Sequence, residues 1–314
     1  MSITPTRRGI LALILGIAVF SVQDVILKLL SGSYPLYQAM IIRSLTAVPL
    51  LFLIVRWLDH GLVTIATRNW WLMLARGLLG FVAYTSYYLG LAALPMADTV
   101  ALFFTAPLFI TLFAALVFRE RIGPVTLLGL VAGFVGMLLI FSPTASLFDP
   151  AALLPVLGAL GYALQQLAAR ILGRTETAAA MTFWSNLSFL ATGLALAAIF
   201  GSGALEGTSH PSLAFLTRGW QPLPPRDLLL FMACGGIAAV GLSLLTYAYR
   251  VAPSSTVAPF EYSFIIWGVL WGWLFWSELP GQTAWVGIAF LVAAGLMVIR
   301  AEAGKAKAAP EGAA

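Results

Sequence analysis

Ten apolar stretches, each about 20 residues long and most of them joined by short polar turns, run through this 314-residue chain. A helix needs about 20 apolar residues to cross the hydrocarbon core of a bilayer. The stretches that qualify cover 9–30, 36–56, 70–91, 97–118 and 123–141, then 150–171, 178–200, 227–249, 255–276 and 282–299. They are continuous rather than alternating, which selects helices over barrel strands. Only 9% of the residues are charged, against about 25% in an average soluble protein. So few charges cannot cover a water-facing surface of this size, so lipid must solvate the remainder. The fold class that follows is an all-α polytopic membrane protein of ten transmembrane helices.

Arg7 and Arg8 followed by an apolar run mimic a secretory signal. The run continues through Leu30 without a small-x-small cleavage site, and it reads as a retained first helix. The net charge is +5, with basic residues standing singly or in pairs between the runs. That pattern sets topology and does not track a phosphate backbone, so nucleic acid is not an expected partner. Placing the N-terminus inside gathers Arg56, Arg68, Arg119, Arg121, Arg170, Arg174 and Arg250 on one side and leaves Lys28, Arg218 and Arg226 on the other. Both termini are therefore expected in the cytoplasm. Segment 201–226 is rich in Gly, Pro and Ser and reads as an extramembrane loop, irregular or holding a short surface helix. The tail 301–314 is small, polar and unpatterned, and is expected to be disordered. Cys234 is the sole cysteine, so no internal disulfide, CxxC or metal site is expected.

The two halves resemble each other. LGIAVFSVQDVILK from Leu15 matches LGALGYALQQLAAR from Leu157, so that Gly16 meets Gly158, Phe20 meets Tyr162, Gln23 meets Gln165 and Asp24 meets Gln166. The triplet TVA recurs at Thr99–Ala101 and Thr256–Ala258. Each half, 9–141 and 150–300, holds five spans. An odd number places the second copy upside down relative to the first. Inverted repeats of this kind bind substrate near mid-membrane at their interface.

With this doubled unit, the chain resembles the ten-helix EamA branch of the drug/metabolite transporter superfamily. The resemblance rests on QDVILK at the end of the first span, PLYQAMIIRS in the second, LGLAALPMADTVALFFTAP, and the FRERIG turn before a Gly-rich fifth span. YAYRVAPSSTVAPFEYS and FWSELPG repeat these more loosely in the second half. The resemblance implies secondary transport of small organic metabolites, such as amino-acid derivatives, or of drugs. It implies no cofactor, and a location in the bacterial inner membrane. The halves diverge in places: Trp184 stands where the first copy has Arg43, and Glu261 where it has Phe104.

A charge near the bilayer centre is costly unless paired or wet, and is a functional suspect by default. Asp24, Arg43, Arg76 and Glu261 qualify. At about 1.5 Å per residue, Asp24 and Arg43 fall at one level toward the outer face, and Glu261 and Arg76 at another toward the inner face. The expected pairs are Asp24 with Arg43 and Glu261 with Arg76, making and breaking as each side opens, or standing as static structural pairs. Asp24 and Glu261 are also candidates to carry a coupling proton, since burial disfavours a charged carboxylate. Pro107 and Pro259 are expected to kink the fourth and ninth spans and expose backbone to a cavity. Tyr87, Phe104, Thr105, Tyr247, Trp184 and Phe260 are candidate cavity residues on aromatic walls. Gly129, Gly133 and Gly136, with Gly287 and Gly295, give the fifth and tenth helices small faces for scaffolding or a homodimer contact.

The chain has no HExxH, GxSxG or GxxxxGK[ST] pattern, and its two histidines, His60 and His210, lie far apart in loops. An enzyme and an ATP-driven pump are therefore disfavoured. Secondary transport by alternating access is the reading, with lipid translocation or an inert membrane protein as the alternative.

Overall fold

A computed structural model of the chain describes residues 4–30, 32–58, 61, 63–94, 96–120, 122–141, 150–207 and 210–276, with 285–287, 289–290, 293 and 297. Among these residues the regular structure is entirely helical. The helices are α1 (Pro5–Leu30), α2 (Leu36–Leu58), α3 (Trp70–Ala93), α4 (Met96–Phe103), α5 (Ala106–Phe118) and α6 (Pro124–Phe141) in the first half. The second half has α7 (Leu153–Leu172), α8 (Ala178–Phe200), α9 (Pro211–Thr217), α10 (Pro225–Val251), α11 (Ser254–Val257) and α12 (Phe264–Trp276). Among the described residues, five stretches are long and apolar enough to cross a membrane: Pro5–Leu27, Leu36–Leu58, Pro150–Leu172, Ala178–Phe200 and Pro225–Val251. The helix α3, which carries Arg76, is of similar length at 24 residues.

The expected spans agree with these helices to within a few residues, except in two places. The span expected at 97–118 is broken. Pro107 lacks the N–H that would bond the Phe103 carbonyl, and the chain leaves the helix at Phe104 and Thr105 before α5 begins. The span expected at 255–276 is broken in the same way. Pro259 would have bonded the Ser255 carbonyl, and the backbone tightens into a 3-10 helix over Ala258–Ser263 between α11 and α12. Both prolines thus make discontinuities rather than kinks. The tenth span, 282–299, lies largely outside the described residues, and the tail 301–314 lies wholly outside them.

The packing follows a two-fold exchange of the halves. α1 lies along α10, and α3, the counterpart of α10, lies along α7, the counterpart of α1. α2 packs on α8, its own counterpart. The broken fourth span packs on α7 as the broken ninth packs on α1. The matched glycines show why the sequence repeats. A Cβ on Gly16 would sit 3.2 Å from the Gly241 carbonyl of α10, and one on Gly158 would sit 3.0 Å from the Ala83 carbonyl of α3. Each equivalent helix pair therefore approaches closely at an equivalent glycine.

Two apolar clusters plug the bundle. One, toward the arginine-rich end, joins Leu13, Ile17, Met73, Leu167, Leu245 and Tyr249 with Phe260. The other joins Leu30, Leu36, Met40, Tyr88, Phe189 and Phe231, and is covered by Phe215 of α9. The 201–226 segment thus carries the short surface helix expected of it. Its backbone is stitched to the start of α2. Tyr37 donates its hydroxyl to the Arg218 carbonyl at 2.7 Å. Gln38 donates to the Gln221 carbonyl at 2.7 Å and accepts the Gln221 N–H at 3.1 Å. The Gly219 N–H bonds Glu206.

Candidate functional site

Breaking a helix in mid-bundle leaves peptide groups without intrahelical partners, which a membrane protein tolerates only beside protein or a wet cavity. The two breaks here flank a cavity of about 190 Å³ between the two apolar plugs. It shares Ile17 and Leu245 with one plug, and Tyr88 and Phe189 with the other. Phe104 enters it from the first break and Glu261 from the second. These are the positions that correspond in the two halves. Phe20 and Tyr162 line it, as do Gln23 and Gln165, so two of the matched pairs from the internal repeat meet in one place. The remainder of the wall is mainly aromatic, with Tyr84, Tyr87 and Phe103 among its members. Edge-to-face contacts at 5.1 Å between Tyr87 and Tyr88, and at 4.9 Å between Tyr87 and Phe103, hold this wall in place.

Charged groups of both signs open on this aromatic room. Asp24 accepts a hydrogen bond from the Tyr88 hydroxyl at 2.6 Å. Arg43, only 4% exposed, lays its guanidinium 5.0 Å from the Tyr84 ring and 5.1 Å from the Phe189 ring. Glu261 is 9% exposed. Its Oε1 accepts from Tyr162 and from Tyr249, each at 2.7 Å. Tyr162 comes from α7 and Tyr249 from α10, so the carboxyl at the second break fastens three elements of its own half. Among the described residues no group of three or more His, Cys, Asp or Glu side chains is placed to hold a metal ion.

Comparison with known proteins agrees with this architecture. A protein from Rhizobium johnstonii named riboflavin transporter is 34% identical, over 77% of this chain and 74% of its own length. The model of the EamA-like transporter family matches residues 7–142. The chain belongs to this EamA-like transporter family. Two further relatives cover nearly all of it. The pseudopaline exporter CntI of Pseudomonas aeruginosa is 26% identical over 95% of this chain and 98% of its own length. An S-adenosylmethionine uptake transporter of Rickettsia felis is 24% identical over 94% and 93%. A solved crystal structure of a protein superposes with a TM-score of 0.70 at 18% identity, covering 93% of this chain and 95% of that one, and shows the same fold. The EamA-like chain is a membrane transporter of small metabolites, and its family is one of transporters rather than enzymes.

The residues singled out in the sequence of this EamA-like transporter divide into two groups. Asp24, Arg43, Glu261, Tyr87 and Phe104 line the cavity together. Arg76 does not. It is fully buried and donates to the Ser185 hydroxyl at 2.6 Å, the Thr246 hydroxyl at 2.8 Å and the Met181 carbonyl at 3.3 Å. It braces α3 against α8 and α10, while the hydrogen bonds of Glu261 go to tyrosines. Asp24 likewise takes its hydrogen bond from Tyr88. In neither expected pair, then, do the hydrogen bonds found run from base to acid. Trp184 donates its indole N–H to the Ile65 carbonyl at 3.0 Å, in the turn before α3. Tyr247 and Phe260 pack in the apolar plug, and Thr105 turns its hydroxyl back onto the Leu102 carbonyl at 2.7 Å. Pro107 and Pro259 are buried at the two breaks. Tyr162, Gln165 and Phe189 belong to the site and were not singled out as candidates. Tyr162 and Gln165 did stand at matched positions of the repeat, which was the signal available.

Proposed function

We propose that this chain is a secondary transporter that carries a planar heteroaromatic metabolite through the cavity at the interface of two inverted halves, 9–141 and 150–300, with protons carried on Asp24 and Glu261. The observation that carries this reading is the joint opening of Asp24, Arg43 and Glu261 onto an aromatic-walled cavity lying at both helix breaks. Aromatic faces hold flat rings, while a few polar groups fix their orientation. Riboflavin, named for the Rhizobium relative, is a flat ring system with a hydrogen-bonding edge, and is the first ligand to test. The cavity of about 190 Å³ is smaller than the roughly 300–1,000 Å³ of common ligand pockets. A ligand of this size therefore requires the plugs to part, as alternating access does.

The same reading puts both termini in the cytoplasm and the chain in the bacterial inner membrane, supported by the arginines at one end of the bundle. It also keeps a homodimer through the fifth and tenth spans, 123–141 and 282–299, supported by the outward apolar face of α6 at Leu127, Leu128 and Val131. The test is riboflavin flux in proteoliposomes holding the purified protein, in both directions and with and without a pH gradient. Flux driven by the gradient is expected. Lipid-probe scrambling without metabolite flux would transfer the assignment to lipid translocation.

A further inference from the structure

An arginine taken out of water must find acceptors for its N–H groups, because a buried unpaired donor keeps its full desolvation cost. Arg43 meets this requirement only in part. It is 4% exposed, and its Nε and Nη1 are buried with no hydrogen-bond partner among the described residues. Its carboxylate neighbour on the cavity wall, Asp24, takes its hydrogen bond from Tyr88. The rings of Tyr84 and Phe189 stabilise the guanidinium's charge, but ring faces do not satisfy N–H donors in its plane. The group is therefore held in place by two aromatic side chains, beside the cavity, with donors to spare. At the other end of the cavity the polar side chain is in the opposite condition, since Glu261 already accepts two hydroxyl protons. The two ends thus differ in what they ask of a ligand.

We infer that Arg43 is the specificity-determining residue of the cavity, and that it selects substrates carrying an oxygen-acceptor edge, either a carboxylate or a ring carbonyl, attached directly to the flat body. The inference rests on the transport reading above and narrows it to a substrate class. The aromatic wall takes the ring and would accept any flat molecule; Arg43 discriminates. A charge-assisted hydrogen bond in a closed site changes affinity by about ten- to a hundred-fold. Lysine at this position would keep the charge but lose the planar donor array held between the rings.

The test is equilibrium binding to the purified protein in detergent, read by ligand fluorescence or isothermal titration. Three flat probes are used: riboflavin, with ring carbonyls; quinaldate, with a carboxylate; and carbazole, neutral and with no acceptor edge. The proteins compared are wild type, Arg43→Lys and Arg43→Met, each first shown to be monodisperse on size exclusion. Arg43→Met is expected to weaken riboflavin and quinaldate at least ten-fold and to leave carbazole within two-fold, with Arg43→Lys intermediate. Equal losses for all three probes in monodisperse Arg43→Lys, or no loss for any, would overturn the inference. Should riboflavin fail to bind or cross while quinaldate binding still depends on Arg43, the flavin reading falls and the acceptor-edge inference stands. Failure of the probes to discriminate while riboflavin flux persists gives the reverse result.

Discussion

Replacing Glu261 separates its structural work from its transport work. Both tyrosine hydroxyls donate to the same oxygen, Oε1, at 2.7 Å. Glu261→Gln keeps a carbonyl oxygen there, so both hydrogen bonds can persist, and the site merely exchanges a carboxyl for a neutral amide. A hydrogen bond to a charged group is worth about 1.5–3 kcal/mol and a neutral one about 0.5–1.5. The expected loss of stability for Glu261→Gln is therefore no more than about 1–3 kcal/mol across the pair. Glu261→Ala instead leaves two hydroxyls, one of them on the fully buried Tyr249, without an acceptor. At about 1–3 kcal/mol each, the expected loss is roughly 2–6 kcal/mol. Thermal unfolding in detergent should rank wild type, Glu261→Gln and Glu261→Ala in that order. Flux in proteoliposomes should separate them differently: Glu261→Gln cannot release a proton, so gradient-driven flux should fall at least ten-fold while counterflow of substrate is retained. A Glu261→Gln protein that runs at the wild-type rate under a pH gradient would refute the assignment of the proton to this carboxyl.

Other substitutions probe the remaining parts of the account. Arg76→Met removes a brace that joins α3 to α8 and α10, taking the donor away from the Ser185 and Thr246 hydroxyls; the expected cost is about 1–3 kcal/mol, seen as lower yield and a lower unfolding temperature with any residual flux unchanged in substrate preference. A Cβ on Gly133 of α6 would lie 2.4 Å from Cδ2 of Tyr262, in the 3-10 break, so Gly133→Ala should destabilise by about 1–3 kcal/mol and lower flux by displacing the break, both measurable on the same preparation. Gln38→Ala severs both hydrogen bonds to Gln221, and hydrogen exchange across 210–223 should speed up while exchange in α7 stays unchanged.

Much of the fold was legible because the bilayer imposes one rule on every span. Length and hydropathy alone placed helices such as Ala178–Phe200, and the odd number of spans per half fixed the inversion. The match of Gly16 with Gly158 and of Gln23 with Gln165 revealed the repeat, though not that the glycines are close-packing points or that the glutamines line the cavity. Hydrogen-bond partners were not legible. Asp24 and Arg43 are near enough in depth to suggest an ion pair, yet a tyrosine two helices away in sequence, Tyr88, reaches the carboxyl. Likewise Arg76 has the hydropathy signature of a functional charge, but hydroxyls on α8 and α10 absorb it. Depth along a helix can be read from residue counts, whereas the direction in which a side chain points depends on helix rotation, and that is set by packing. The prolines were visible as perturbations, but not their full effect, because a kink and a break differ in whether neighbouring elements can support the freed backbone.

Access to the cavity from each side in turn is the property on which the transport account depends. Gln23 lines the cavity, and Cys234 is fully buried. Gln23→Cys in a Cys234→Ala background can therefore be labelled in right-side-out and in inverted vesicles with a membrane-impermeant maleimide. Labelling from both sides, suppressed by a transported ligand, is the predicted result. Labelling from neither side, or labelling indifferent to every ligand that crosses, would contradict a substrate passage between the two halves.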